Sequence, residues 1–203
     1  MVTSVSHSTA NGARVYQADL PGVCYGTLVF GVGMRDEPVT LSGITHLMEH
    51  LLLRLMEPIS IEHDAVVDDN SLTVYASGPV DEVGQFLTDF TKAISRLGEV
   101  TEQDLKFEKR IIGIEHPSDF NAPTAGLLTY RYGLHGVGIA NFGAPSTIDM
   151  TRQDVIEWAA LWLRQNNTTV AFTKLLPATL DLQLLPGTVA RPELNRSGFD
   201  GDS

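Results

Sequence analysis

Hydrophobic positions along the chain change period several times, and each change marks an element. Residues 13–19 (ARVYQAD) alternate in side-chain character as a half-buried strand does, and Pro21-Gly22 then turns the chain. Residues 24–33 (CYGTLVFGVG) are more continuously apolar, as in a central strand. Beyond an exposed stretch at residues 35–38, Thr40 or Ser42 is placed to cap a helix over residues 42–56 (SGITHLMEHLLLRLM) that fades near Pro58. Residues 59–67 (ISIEHDAVV) predict a strand carrying polar groups. The turn Asp68-Asp69-Asn70-Ser71 and a second strand at residues 72–77 complete a hairpin. After Gly78-Pro79, a long amphipathic helix fits residues 80–97 with Val83, Phe86, Leu87, Phe90 and Ile94 on one face, and Gly98 closes it.

The second half of the chain begins with a capping pattern, Thr101 with Asp104 three residues on, opening a helix to about Glu115. Leu105, Ile111, Ile112 and Ile114 are its packing residues, and Pro117 ends it. Residues 121–132 predict a shorter helix, residues 133–147 a Gly-rich irregular stretch, and Thr151 caps a helix to about Gln165. Residues 168–175 return as a strand. From Arg191 apolar periodicity is lost, so one domain is expected over residues 1–190 with a disordered tail over 191–203.

Composition narrows the chemistry. With 203 residues, 43% apolar and 19% charged, the chain suits one globular domain with an ample core. A formal net charge of −11 and a pI of 4.8 speak against general affinity for nucleic acid or anionic membrane and favour weak attraction of cationic peptides. Cys24 is the sole cysteine, so an internal disulfide is impossible and any metal site must use His and carboxylate. The N-terminal residues lack the pattern of a secretory signal, and no eighteen successive residues are apolar, which makes the cytoplasm the expected location.

Within the apolar helix at residues 42–56, His46, Glu49 and His50 spell H-x-x-E-H. Two histidines four apart lie about one turn apart on one face, so both rings can reach one metal ion while Glu49 stays beside it. This is the inverted zinc-peptidase motif. A catalytic zinc takes three protein ligands and keeps one position open, so a third ligand must come from elsewhere; Glu49 suits a general base better than a ligand. The plainer possibility is a buried helix with histidines satisfied in its core. Burying two His and a Glu unpaired would cost several kcal/mol, so a metal or a hydrogen-bonded network has to stabilise them. Glu108 and Glu115, seven apart, share a face of the later helix and on their own are most simply a solvated face.

These residues resemble the insulinase, pitrilysin and mitochondrial processing peptidase family. MRDEPVTLSGITHLMEH matches the family's Gly and acidic residue ahead of H-x-x-E-H, and EKRIIGIE matches its downstream helix with a second Glu seven positions on. WAALWLRQNNTTVAFT is similar to the family's segment in which a helix is followed by an Asn and a strand. The resemblance implies an α+β fold with a mixed, largely antiparallel sheet and helices packed on one face, one half of an insulinase-like clamshell. It implies zinc ligands at His46, His50 and Glu115, a catalytic base at Glu49, and Glu108 as an acid behind the ligands that tunes the site. It also implies an edge strand holding peptide by strand addition, where Asp64-Ala65 stands in place of the family's usual Asn-Ala.

Between His50 and Glu115 lie 64 residues, fewer than the family usually carries, and the loss falls between Met56 and Asp64. Family subunits have two homologous halves; this chain matches about one, so a second half is expected from a copy of itself or a separately encoded partner. The expected function is zinc-dependent hydrolysis of small or unfolded peptides. The alternatives are a non-catalytic peptide-binding or partner subunit, and a metal-free helical scaffold. Of the remaining histidines, His63 and His116 are placed to support the site, and His7 and His135 fall in loops.

Overall fold

The computed structural model describes residues 4–115, 123–139 and 144–189. Among these residues six strands, β1 (Ser6–Ala10), β2 (Ala13–Gln17), β3 (Cys24–Phe30), β4 (Glu62–Val67), β5 (Leu72–Gly78) and β6 (Thr168–Phe172), form one sheet in the order β1-β2-β6-β3-β5-β4. Only β2 and β6 run parallel, so the sheet is mixed and largely antiparallel. Side-chain alternation gives it two different faces. Ala13, Val15, Leu28, Phe30, Leu72, Val74, Ala76 and Val170 turn inward and are buried. Tyr16, Tyr25 and Tyr75 stand on the other face, exposed.

Among the described residues five α-helices follow the hydrophobic periodicity: α1 (Ile44–Arg54), α2 (Val80–Ser95), α3 (Glu102–Glu115), α4 (Pro123–Tyr132) and α5 (Arg152–Trp162). The apolar faces of α1 and α2 cover the inner face of the sheet and α5 packs against α1, making the predicted α+β architecture with helices on one side. All five residues of the predicted α2 stripe are buried. The expected Thr101–Asp104 capping box forms at α3, and the expected Thr151 cap of α5 forms a second box with Asp154.

Several boundaries differ from the sequence reading, for local reasons. β1 was not anticipated, because SHSTA is polar and exposed at the sheet's edge. His7 therefore lies in a strand and not in a loop. The signal was Asn11-Gly12, both with positive φ (48° and 80°), the pair that a tight hairpin demands. β4 starts at Glu62, three residues later than predicted. α2 stops at Ser95, and Gly98 sits inside a separate 3-10 turn, Leu97–Glu99. α5 stops at Trp162, where Leu163 leaves helical conformation and Asn167 bonds the Gly31 and Trp162 carbonyls, tying the next turn to β3. Ile114 faces solvent and does not pack. His116, Pro117 and the tail at 191–203 lie outside the described residues.

Candidate metal centre

Helix α1 is aimed by its approach. Gly33 passes directly over the β4–β5 turn: Met34 N–H donates to the Asp68 carbonyl (3.1 Å) and Arg35 N–H to that of Asp69 (2.9 Å). A Cβ at Gly33 would overlap the Asp68 oxygen and the Asn70 nitrogen. The chain then enters α1 through Gly43 at φ 94°, a left-handed conformation that Gly adopts without strain. Neither Thr40 nor Ser42 is the N-cap. The buried Glu37 carboxylate supplies the capping acceptors instead, receiving Gly43 N–H at 2.7 Å and Thr45 N–H at 2.9 Å. Burial pushes its carboxyl up to about 7 against the pull of those two bonds. In the first turn of α1, the Trp158 indole N–H donates to Thr45 Oγ1 (3.1 Å) and fastens α5 to α1.

His46 and His50 rise from α1 toward α3. Their Nε2 atoms lie 3.0 Å apart with rings nearly perpendicular, at 81°. Glu115 Oε2, at the end of α3, sits 3.5 Å from His46 Nε2 and 3.4 Å from His50 Nε2. Among the described residues these three form the cluster whose donor atoms converge closely enough to hold a metal. Ligand atoms about 2.0–2.1 Å from a tetrahedral zinc are roughly 3.3 Å from one another, so the triangle of donors fits that ion and its nitrogen and oxygen chemistry.

Two carboxylates flank the triangle. Glu108 is buried, and its Oε2 lies 3.0 Å from His50 Nδ1 while its Oε1 accepts from Arg54 Nη1 at 2.9 Å. Glu49, also buried, is not one of the three converging donors. Burial raises its carboxyl to about 7; His50 acts in the opposite sense, and Asp64 and Glu115 add to the rise. A carboxyl titrating near neutrality beside a metal site is suited to moving protons.

Asp64 and Ala65 lie on β4, the edge of the sheet against which α1 packs. They point to opposite faces: Ala65 is buried, and the exposed Asp64 accepts from Tyr75 Oη (3.1 Å) and from the Ala65 N–H (2.9 Å). His63 bonds the Ile61 carbonyl (2.8 Å) and its ring lies tilted at 45° against Phe86, 5.1 Å between centroids, which makes it a part of the hairpin packing. Sequence reasoning missed Glu37 and Arg54, whose partners are distant along the chain or lack a motif.

No protein-family model matches the sequence, and no curated protein matches it at a significant level. Solved structures do. The chain is similar to part of complex III2 from Candida albicans (TM-score 0.76, 19% identity, 94% of this chain and 49% of that one). It is similar to a protease from Helicobacter pylori (TM-score 0.72, 17% identity, 94% and 52%). It is similar to pitrilysin (TM-score 0.66, 15% identity, 87% and 22%). At these identities the likeness shows the fold alone: the α+β arrangement of a part of each of those longer chains. The chain spans about half the length of the first two chains it matches. No helix among the described residues is long and apolar enough to cross a membrane.

Proposed function

We propose that this chain is the metal-bearing half of a zinc-dependent endopeptidase acting on small or unfolded peptides. The observation that carries the reading is the convergence of His46, His50 and Glu115 at 3.0–3.5 Å, with Glu49 on the same turn of α1. His46, His50 and Glu115 would hold Zn2+, which when bound polarises the scissile carbonyl and acidifies water. Glu49 takes a proton from the attacking water and returns it to the leaving amine nitrogen. Glu108 holds the His50 ring through Nδ1 and thereby fixes which nitrogen faces the site. The β4 edge, with Asp64 and Ala65, offers backbone groups to an extended peptide, and the Asp64 carboxylate favours a cationic side chain beside them.

The test is zinc content and turnover in two variants, read by metal analysis and by mass spectrometry of an unstructured peptide pool. Glu49→Gln should keep zinc and lose activity by roughly a thousandfold or more, and His46→Ala should lose both. Zinc lost from the Gln variant would make Glu49 a ligand. A second reading has support from the likeness to complex III2, an assembly outside the protease structures: a peptide-binding or partner subunit without turnover. It predicts zinc or peptide binding with no cleavage by the parent, alone or with its partner.

A further inference from the structure

Arg54 is four residues beyond His50, which is four beyond His46, so the three share one face of α1. That face meets α3 in matched rungs. His46 faces Glu115, His50 faces both Glu115 and Glu108, and Arg54 faces Glu108 and Asp104, so the two helices run antiparallel. The guanidinium makes three contacts to one stretch of α3: Nε to Asp104 Oδ1 (2.7 Å), Nη1 to Glu108 Oε1 (2.9 Å), and Cζ over the Phe107 ring, 4.9 Å from its centroid. Asp104 is itself fixed by the capping box with Thr101.

We infer that Arg54 is a positioning residue of the metal site, acting through Glu108 on His50 and through the phase of α3 on Glu115. This rests on the zinc reading above. The first route is direct. Glu108 has one oxygen near His50 Nδ1 and the other on Arg54, so the planar fork of Arg54 sets the carboxylate's rotation and with it the His50 ring. The second route is mechanical. Glu115 lies seven residues past Glu108, two turns or about 10 Å along the axis, so fastening α3 at residues 104–108 determines where the Glu115 carboxylate falls. Lysine carries the same charge but is a point donor, unable to span Asp104 and Glu108 in the same rigid geometry.

The experiment compares parent, Arg54→Met and Arg54→Lys for zinc affinity by chelator competition and for the visible absorption of the Co2+-substituted protein. Circular dichroism and thermal melting of the metal-free forms report the fold. Zinc affinity should fall about 10- to 100-fold in the Met variant, with altered Co2+ bands and retained secondary structure, and partly recover in the Lys variant. Should the Met variant fail to fold, the Lys variant reports the same loss at smaller size. A folded variant binding zinc within about fivefold of the parent, with unchanged Co2+ bands, would reduce Arg54 to a fastener of two helices and overturn the inference alone. A parent that binds no zinc overturns the zinc reading and this inference together.

Discussion

At the scale of single residues, the carboxyls divide by the sign of their shifts. Folding raises Glu37 and Glu49 to about 7, chiefly by burial, and lowers Asp104 and Asp154, chiefly through the bonds of their capping boxes. A group raised by folding holds its proton where the unfolded chain has released it. Its contribution is therefore full below pH 4.5 and is lost as pH rises through about 7. The lowered aspartates work the other way, contributing above pH 3.8 and losing that contribution as pH falls below it. The metal-free protein should accordingly lose urea-unfolding stability between pH 5 and 8. Glu37→Gln should flatten that slope by removing one of the two raised groups. An unchanged slope in the variant would mean that Glu37 stays ionised across the range, held by its two N–H bonds.

At the scale of elements, what could be read in advance was whatever is written locally. The α2 stripe, the Thr101–Asp104 box, the Thr151 cap, the β4–β5 hairpin and the H-x-x-E-H turn are patterns within a few residues of one another, and each appears where the spacing places it. The start of α1 was misread because its cap comes from Glu37, six and eight residues ahead of the groups it receives. Arg54 was passed over because its partners are 50 and 54 residues away. β1 was missed for its polar sequence despite the Asn11-Gly12 turn that announces it. Gly33 shows what such non-local contacts require. Its backbone lies on the β4–β5 turn with no room for a side chain, so Gly33→Ala should cost about 3 kcal/mol by overpacking, measured by chemical denaturation. A cost under about 1 kcal/mol would show that the turn yields and that the approach to α1 is not held by this contact.

At the scale of the whole molecule, the site is only half enclosed. Glu115 keeps 45% of its side chain exposed, and the β4 edge carries no further strand among the described residues. With the chain spanning about half the length of the complex III2 and Helicobacter pylori chains, we propose that a second half completes the chamber. Specific activity should then fall on dilution in step with loss of the assembly, followed by sedimentation velocity beside initial rates. A concentration-independent activity from a monomer would exclude the requirement. The charge of −11 separates the two candidate partners. Two copies of so acidic a chain repel one another, so salt that screens the repulsion should strengthen a homodimer and sharpen its activity at low protein concentration. A separately encoded half selected for the opposite sign would be held partly by attraction, and the same salt would weaken the pair. The direction of the salt effect on assembly, measured between about 0.05 and 0.5 M where the screening length shortens from beyond 10 Å to under 5 Å, therefore distinguishes self-association from a heteromeric enzyme.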